Sequence, residues 1–128
     1  MNVHIQLIHN RGFAWHQRDG WQVKGFLFGV NNEYLQGDAL INYLESHGEP
    51  SKWLAQSNGH FTIIHQTPDN FWVAVDKLRA FPLFYHQTKT GLIVSDDAPW
   101  LQQASGLYEW DELAAESIRT INSVTAHG

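Results

Sequence analysis

The chain has 128 residues, 8 Lys+Arg against 13 Asp+Glu, a formal net charge of −5 and no cysteine. The missing cysteine excludes a disulfide framework, a thiolate nucleophile and Cys-ligated zinc or iron–sulfur sites. The acidic balance argues against general nucleic-acid binding, which needs a basic face to displace counterions. Seven Phe, six Trp and four Tyr, with charged residues held to 16%, describe a single domain with a real core and not a disordered chain.

No run approaches the ~18 apolar residues of a membrane span. The start MNVHIQLIHNRG has neither the cationic end nor the apolar middle of a signal peptide. A cytoplasmic protein that contacts no membrane is the expectation.

In Asn2–Ile8, Val3, Ile5 and Leu7 fall on one face, the period of two of a half-buried strand. Phe13 and Trp15 alternate after the break at Arg11-Gly12. Arg18-Asp19-Gly20 carries a hairpin signal before the strand Trp21–Val30, in which Gly25 and Gly29 mark bulges or close approaches. Asp38 is suited to cap a helix bearing Leu40, Ile41 and Leu44 on one face, ended by Gly48 and Pro50, with a short turn through Ser51–Leu54 after it. His60–Gln66 and Phe71–Val75 are strand candidates joined by the turn Thr67-Pro68-Asp69-Asn70. Both are apolar on two sides, as a sheet covered on both faces requires. Leu83–Gln87 and Leu92–Ser95 flank a further hairpin at Thr88–Gly91. Asp97 is placed to cap Ala98–Ala104 with Pro99 in the first turn, and Asp111 to cap a last helix over Glu112–Arg119. These elements make an α+β domain.

The segment from Asn58 to Asp97 is more specific. It reads Asn58-Gly59-His60-Phe61, then Val75-Asp76-Lys77-Leu78-Arg79-Ala80-Phe81-Pro82-Leu83-Phe84-Tyr85, then Leu92-Ile93-Val94-Ser95-Asp96-Asp97. In order and spacing it resembles the second half of the class II glutamine amidotransferase domain at the N-terminus of asparagine synthetases. The resemblance rests on Asn58, Gly59, Phe61, Asp76, Arg79, Pro82, Leu83, Tyr85 and Ser95 as structural signature positions, and the first 55 residues match poorly. It implies an Ntn-hydrolase-like four-layer α/β/β/α sandwich of antiparallel sheets, here shortened.

The catalytic parts of that family do not carry over. Its nucleophile is an N-terminal cysteine whose own amine acts as base. Position 2 here is Asn2, and no Ser or Thr precedes Ser46. The family's Asn-Gly-Glu-Ile-Tyr-Asn turn is missing, and a family glycine is replaced by Arg79. The resemblance therefore implies one degenerate domain over residues 1–128, with no catalytic, cofactor-binding or metal residues. Residues 107–128 resemble the start of the connection to a synthetase domain. The chain is then expected to be a fragment, with ATP and magnesium belonging to the absent synthetase domain, its partner in cis. A homodimer is a further candidate assembly.

Other features have plain structural readings. The eight histidines show no His-Glu-x-x-His or similar metal spacing. Asp96-Asp97 is read as a strand end and a helix cap in preference to a carboxylate pair. Asp76 and Arg79 are read as an ion pair or loop brace that orients Phe81-Pro82. Trp100 and Trp110 are candidate interface residues facing the missing half. Two functions follow. The first is a non-catalytic N-terminal domain of an asparagine-synthetase-like ATP-dependent amide ligase. The alternative is a stand-alone glycan- or peptide-binding module that uses exposed aromatic residues, with several tryptophans expected in a groove.

Overall fold

The computed structural model describes residues 2–47, 53–68, 70–106, 111–112 and 118–120. It is a mixed α+β fold with two sheets and two helices. Strands β1 (Asn2–Gln6), β8 (Gly91–Ser95), β7 (Phe84–Gln87) and β9 (Asp111–Glu112) form a four-stranded sheet in that order. The other sheet has six strands. Its main path is β10 (Ile118–Thr120), β6 (Phe71–Val75), β5 (Gly59–Gln66), β3 (Trp21–Phe28) and β2 (His16–Arg18), and β4 (Tyr34–Gln36) also pairs with β3.

The two-sided apolarity of β5 and β6 has the expected cause. Ile63 and Ile64 are adjacent, point to opposite faces and are both 0% exposed. Ile63 joins Phe61, Trp72 and Ala74 in a core completed by Leu40, Ile41 and Leu44 of helix α1 (Gly37–Ser46). Ile64 joins Phe71 and Val73 in a second core with Leu83, Leu92 and Val94, against which Val3 and Ile5 of β1 pack. Helix α2 (Ala98–Ser105) packs on β7 and β8 through Leu101, which is fully buried.

The turn chemistry follows the residues. Asp19 (φ 50°) and Gly20 (φ 85°) give two successive left-handed positions, which match the twist of the β2–β3 hairpin. Thr67 and Asn70 close the β5–β6 turn through backbone bonds of 2.8 and 3.4 Å. At Gly25 (φ 89°), a Cβ would lie 2.0 Å from the carbonyl oxygen of His60, so a close approach of β3 to β5 requires glycine there.

Three expectations are corrected. The sheets are not wholly antiparallel, because β1 runs parallel to β8 from Asn2↔Gly91 to Gln6↔Ser95. The helix expected over Glu112–Arg119 is not formed at either end. Asp111–Glu112 pairs with Tyr85 and Phe84, and Ile118–Thr120 pairs with β6. So short a segment is a marginal helix alone, and the unpaired ladders of β7 and β6 offer its backbone partners instead. Nor does Asp38 cap α1. Gln36 holds the cap position without a side-chain bond, and Asp38 sits in the first turn. Its Oδ1 accepts from His16 Nε2 (2.8 Å) and Arg18 Nη1 (3.0 Å) on β2.

Asp97 does cap α2. Its Oδ2 accepts from the Trp100 amide at 2.8 Å, with proline in the first turn and Gly106 (φ 70°) at the far end. The stops at Gly48 and Pro50, the cap at Ser51, and Trp110 lie outside the described residues. No helix among the described residues is long and apolar enough to cross a membrane.

Candidate binding site

Along β3, Trp21, Val23 and Leu27 face α1, so Gln22, Lys24, Phe26 and Phe28 face the other way. At the Phe26–Phe28 end the apolar side chains stay partly uncovered. Phe28 is 38% and Tyr34 51% exposed. Phe26 lies at the centre of an aromatic row. Its ring centroid is 5.0 Å from Tyr34, 5.6 Å from His60, and 5.7 Å from both Phe28 and Phe13. Phe13 extends the row to Phe81 at 5.8 Å. Such spacings suit offset and edge-to-face ring contacts.

Two carboxylates hold the Phe81–Phe13 end of this row. Asp96 accepts from the amides of Ile8 (2.9 Å) and His9 (2.8 Å) and from Trp15 Nε1 (2.9 Å). It thereby fastens the loop that carries Phe13. Lys24, 5% exposed, donates to the carbonyl of His9 at 2.7 Å and lies 5.0 Å from the Phe81 ring centroid. Burial pushes its ammonium pKa below the ordinary 10.5, and the Asp96 charge opposes that shift. Asp76 accepts from the amides of Phe61 (3.1 Å), Leu78 (3.1 Å) and Ala80 (3.2 Å). Thr62 Oγ1 donates to the carbonyl of Phe81. The loop brace expected at Asp76 is therefore made to backbone N–H groups. Arg79 supplies a left-handed turn (φ 50°), and its amide donates to the Asp76 carbonyl at 3.0 Å.

Beside Phe28, on the α1 side of the sheet, lies a cleft of about 230 Å³ between the β3–β4 turn, α1 and the segment before β5. The turn is closed by Gly29 N–H to the Glu33 carbonyl and Asn32 N–H to the Gly29 carbonyl, both 2.9 Å. A Cβ on Gly29 would lie 3.0 Å from the Tyr43 ring, so the small residue lets the turn sit against the helix. Tyr43 stacks on His47 at 3.7 Å, meets Trp53 edge-on at 5.4 Å, and accepts at its hydroxyl from the Val30 amide at 3.1 Å. Asn32, Gln56 and Asn58 bring carboxamides to the cleft. The indole Nε1 of Trp53 is buried and has no hydrogen-bond partner among the described residues.

A second cleft, of about 270 Å³, is lined from both sheets by Val3, Ile5, Trp21 and Gln17, Gln22 and Gln66. Asn2 lies next to it in sequence, and its amide donates to the Thr90 carbonyl at 3.2 Å.

Of the signature positions, only Asn58 lines the aromatic cleft. Gly59 and Phe61 begin β5, Leu83 is buried in the second core with Tyr85 against it, Pro82 is exposed, and the buried Ser95 accepts at Oγ from the Asp97 amide. Trp100 meets the His4 ring edge-on at 5.4 Å. The described tryptophans are not the exposed aromatics. Trp21 and Trp72 are core residues, and Trp15 is partly buried against the second core. Among the described residues the exposed Phe, Tyr and Trp side chains are Phe28 and Tyr34, which the sequence reading missed. The signal was present in the alternation Phe26, Phe28 running into Asn31-Asn32, a turn pair that makes Tyr34 the return strand. No family model, no curated protein and no solved structure matches the chain.

Proposed function

We propose that the chain is a non-catalytic binding module that holds a glycan or peptide on exposed aromatic side chains. The observation that carries this reading is the continuous row from Phe81 through Phe13 and Phe26 to the exposed Phe28 and Tyr34, with a cleft edged with carboxamides beside Phe28. Small-molecule sites combine apolar walls with a few placed polar groups in this way. The row is anchored by ladder backbone and by Asp76 and Asp96, so little ordering entropy is lost on binding. Probing glycan and peptide arrays with the purified chain and with Phe28→Ala/Tyr34→Ala tests the proposal. Signals that the double variant loses support it, and signals it keeps contradict it.

A second reading, a degenerate amidotransferase-like domain of an asparagine-synthetase-like amide ligase, is favoured by one observation. Arg79, which stands where the resemblance has glycine, adopts the left-handed backbone that glycine takes without cost. The order of packing, α1 on the six-stranded sheet, then the four-stranded sheet, then α2, supports a four-layer sandwich in this reading. A synthetase domain would be its partner and would hold the ATP and magnesium. A reading frame that continues beyond codon 128 into a Ser-Gly-Gly-x-Asp-Ser loop would support it, and a stop there would oppose it.

A further inference from the structure

We infer that the cleft beside Phe28 is a subsite for one neutral sugar ring. This rests on the binding-module reading and names its ligand class.

The lining chemistry is selective. Phe28, Tyr43 and Trp53 supply aromatic surface, Asn32, Gln56 and Asn58 supply carboxamides, and no lining side chain is charged. A carboxamide both donates and accepts, and so does each hydroxyl of a pyranose. The C–H face of the same ring packs on an aromatic face, so one ligand uses both parts of the lining. A carboxylate stands just outside. Glu33 Oε1 accepts from the Asn31 amide at 2.8 Å, and with the net charge of −5 it opposes an anionic ligand. The volume, about 230 Å³, is below the ~300–1,000 Å³ of sites for drug-sized ligands and suits a single ring.

A peptide fits less well. Extended peptides bind by adding to a sheet edge. Here the edge of β3 at Phe26–Phe28 is already paired to β4, which is three residues long, and the Phe28 amide is bonded to the Asn58 carbonyl.

The test is an NMR titration of the full chain, labelled with nitrogen-15, using the methyl pyranosides of glucose, galactose, mannose and N-acetylglucosamine. Methyl glucuronide and blocked tripeptides are the controls. At least one neutral pyranoside is expected to shift the amides of Gly29–Asn32 and Gln56–Asn58 saturably, with a Kd on the order of 1 mM. Gln56→Ala, at an exposed position, is expected to weaken it about fivefold. Glucuronide is expected to bind more weakly than glucoside. No saturable shift at these residues, or a glucuronide that binds as tightly, overturns the inference. Peptides that shift Phe28 and Tyr34 while the sugars do not would overturn the sugar subsite and leave the binding module standing. Silence from both classes defeats both.

Discussion

The amide of Phe28 donates to the carbonyl of Asn58 at 2.9 Å. This bond extends the β3–β5 ladder one step past the Leu27↔Gly59 pair. It ties together the two chain segments that bring Phe28 and Asn58 to the cleft. Phe28 and Asn58 are therefore held in one ladder register, as a preorganised site needs.

The doubly covered strand β5 makes the first prediction. Ile63→Ala and Ile64→Ala should each cost about 2–5 kcal/mol in urea denaturation, because each leaves a hole in a separate core. The double variant should lose close to the combined amount. A near-neutral effect at either position would mean that one face is open.

Asp96 receives three donors from the loop that delivers Phe13. Asp96→Ala orphans them and should cost about 3 kcal/mol, since hydrogen bonds to charged groups are worth ~1.5–3 kcal/mol each and water recovers part of the loss. Near-ultraviolet circular dichroism should report the release of Trp15. A loss below about 1 kcal/mol would show that the loop is held by other contacts.

His65 makes stability depend on pH. Its ring stacks on Trp21 at 3.8 Å, and burial lowers its pKa from the ordinary 6.5, opposed by the Glu45 charge. The unfolded chain thus takes up the proton at a higher pH than the folded one. The stabilisation is complete above about pH 6.5 and declines as pH falls from there to the lowered folded pKa. His65→Phe keeps an aromatic ring and should flatten that part of the curve in urea melts at stepped pH. An unchanged slope would contradict the assignment.

Glycine 25 should be the least replaceable of a contrasting pair. Gly25→Ala drives a Cβ into the His60 carbonyl and the Phe81 ring, whereas Gly12 (φ 80°) has nothing within 4 Å. Gly12→Ala should cost only the ~1–2 kcal/mol of a left-handed residue. Gly25→Ala should cost distinctly more, or prevent folding. Equal melting temperatures for the two variants would contradict the close approach.

Much of the scaffold was legible. The alternation in β1, the two-sided apolarity of β5, the Asp19-Gly20 turn and the Asp97 cap are local signals, and local physics decided them. The signals that failed were overruled from a distance. Asp38 has a good capping side chain, but His16 and Arg18 claim it from β2, and their bonds hold its carboxyl below the usual range, the His16 bond most of all. Asp111–Glu112 and Ile118–Thr120 pair as strands because β7 and β6 had edges to fill, which no periodicity reveals. The site was less legible than the fold. Tryptophan count pointed to exposed indoles, but Trp21 and Trp72 are core residues. Tyr34 comes beside Phe28 through a three-residue strand too short to show alternation.

Isothermal titration with a ligand from the array, using the parent chain and Phe28→Ala, tests the binding surface most directly. Phe28 is 38% exposed and its ring packs on Phe26 and Tyr34, so its removal should lower the melting temperature modestly, and the two proteins are compared below that transition. Affinity should fall about tenfold through loss of the aromatic contact. Equal affinities for the two proteins, each fully folded, would contradict the account.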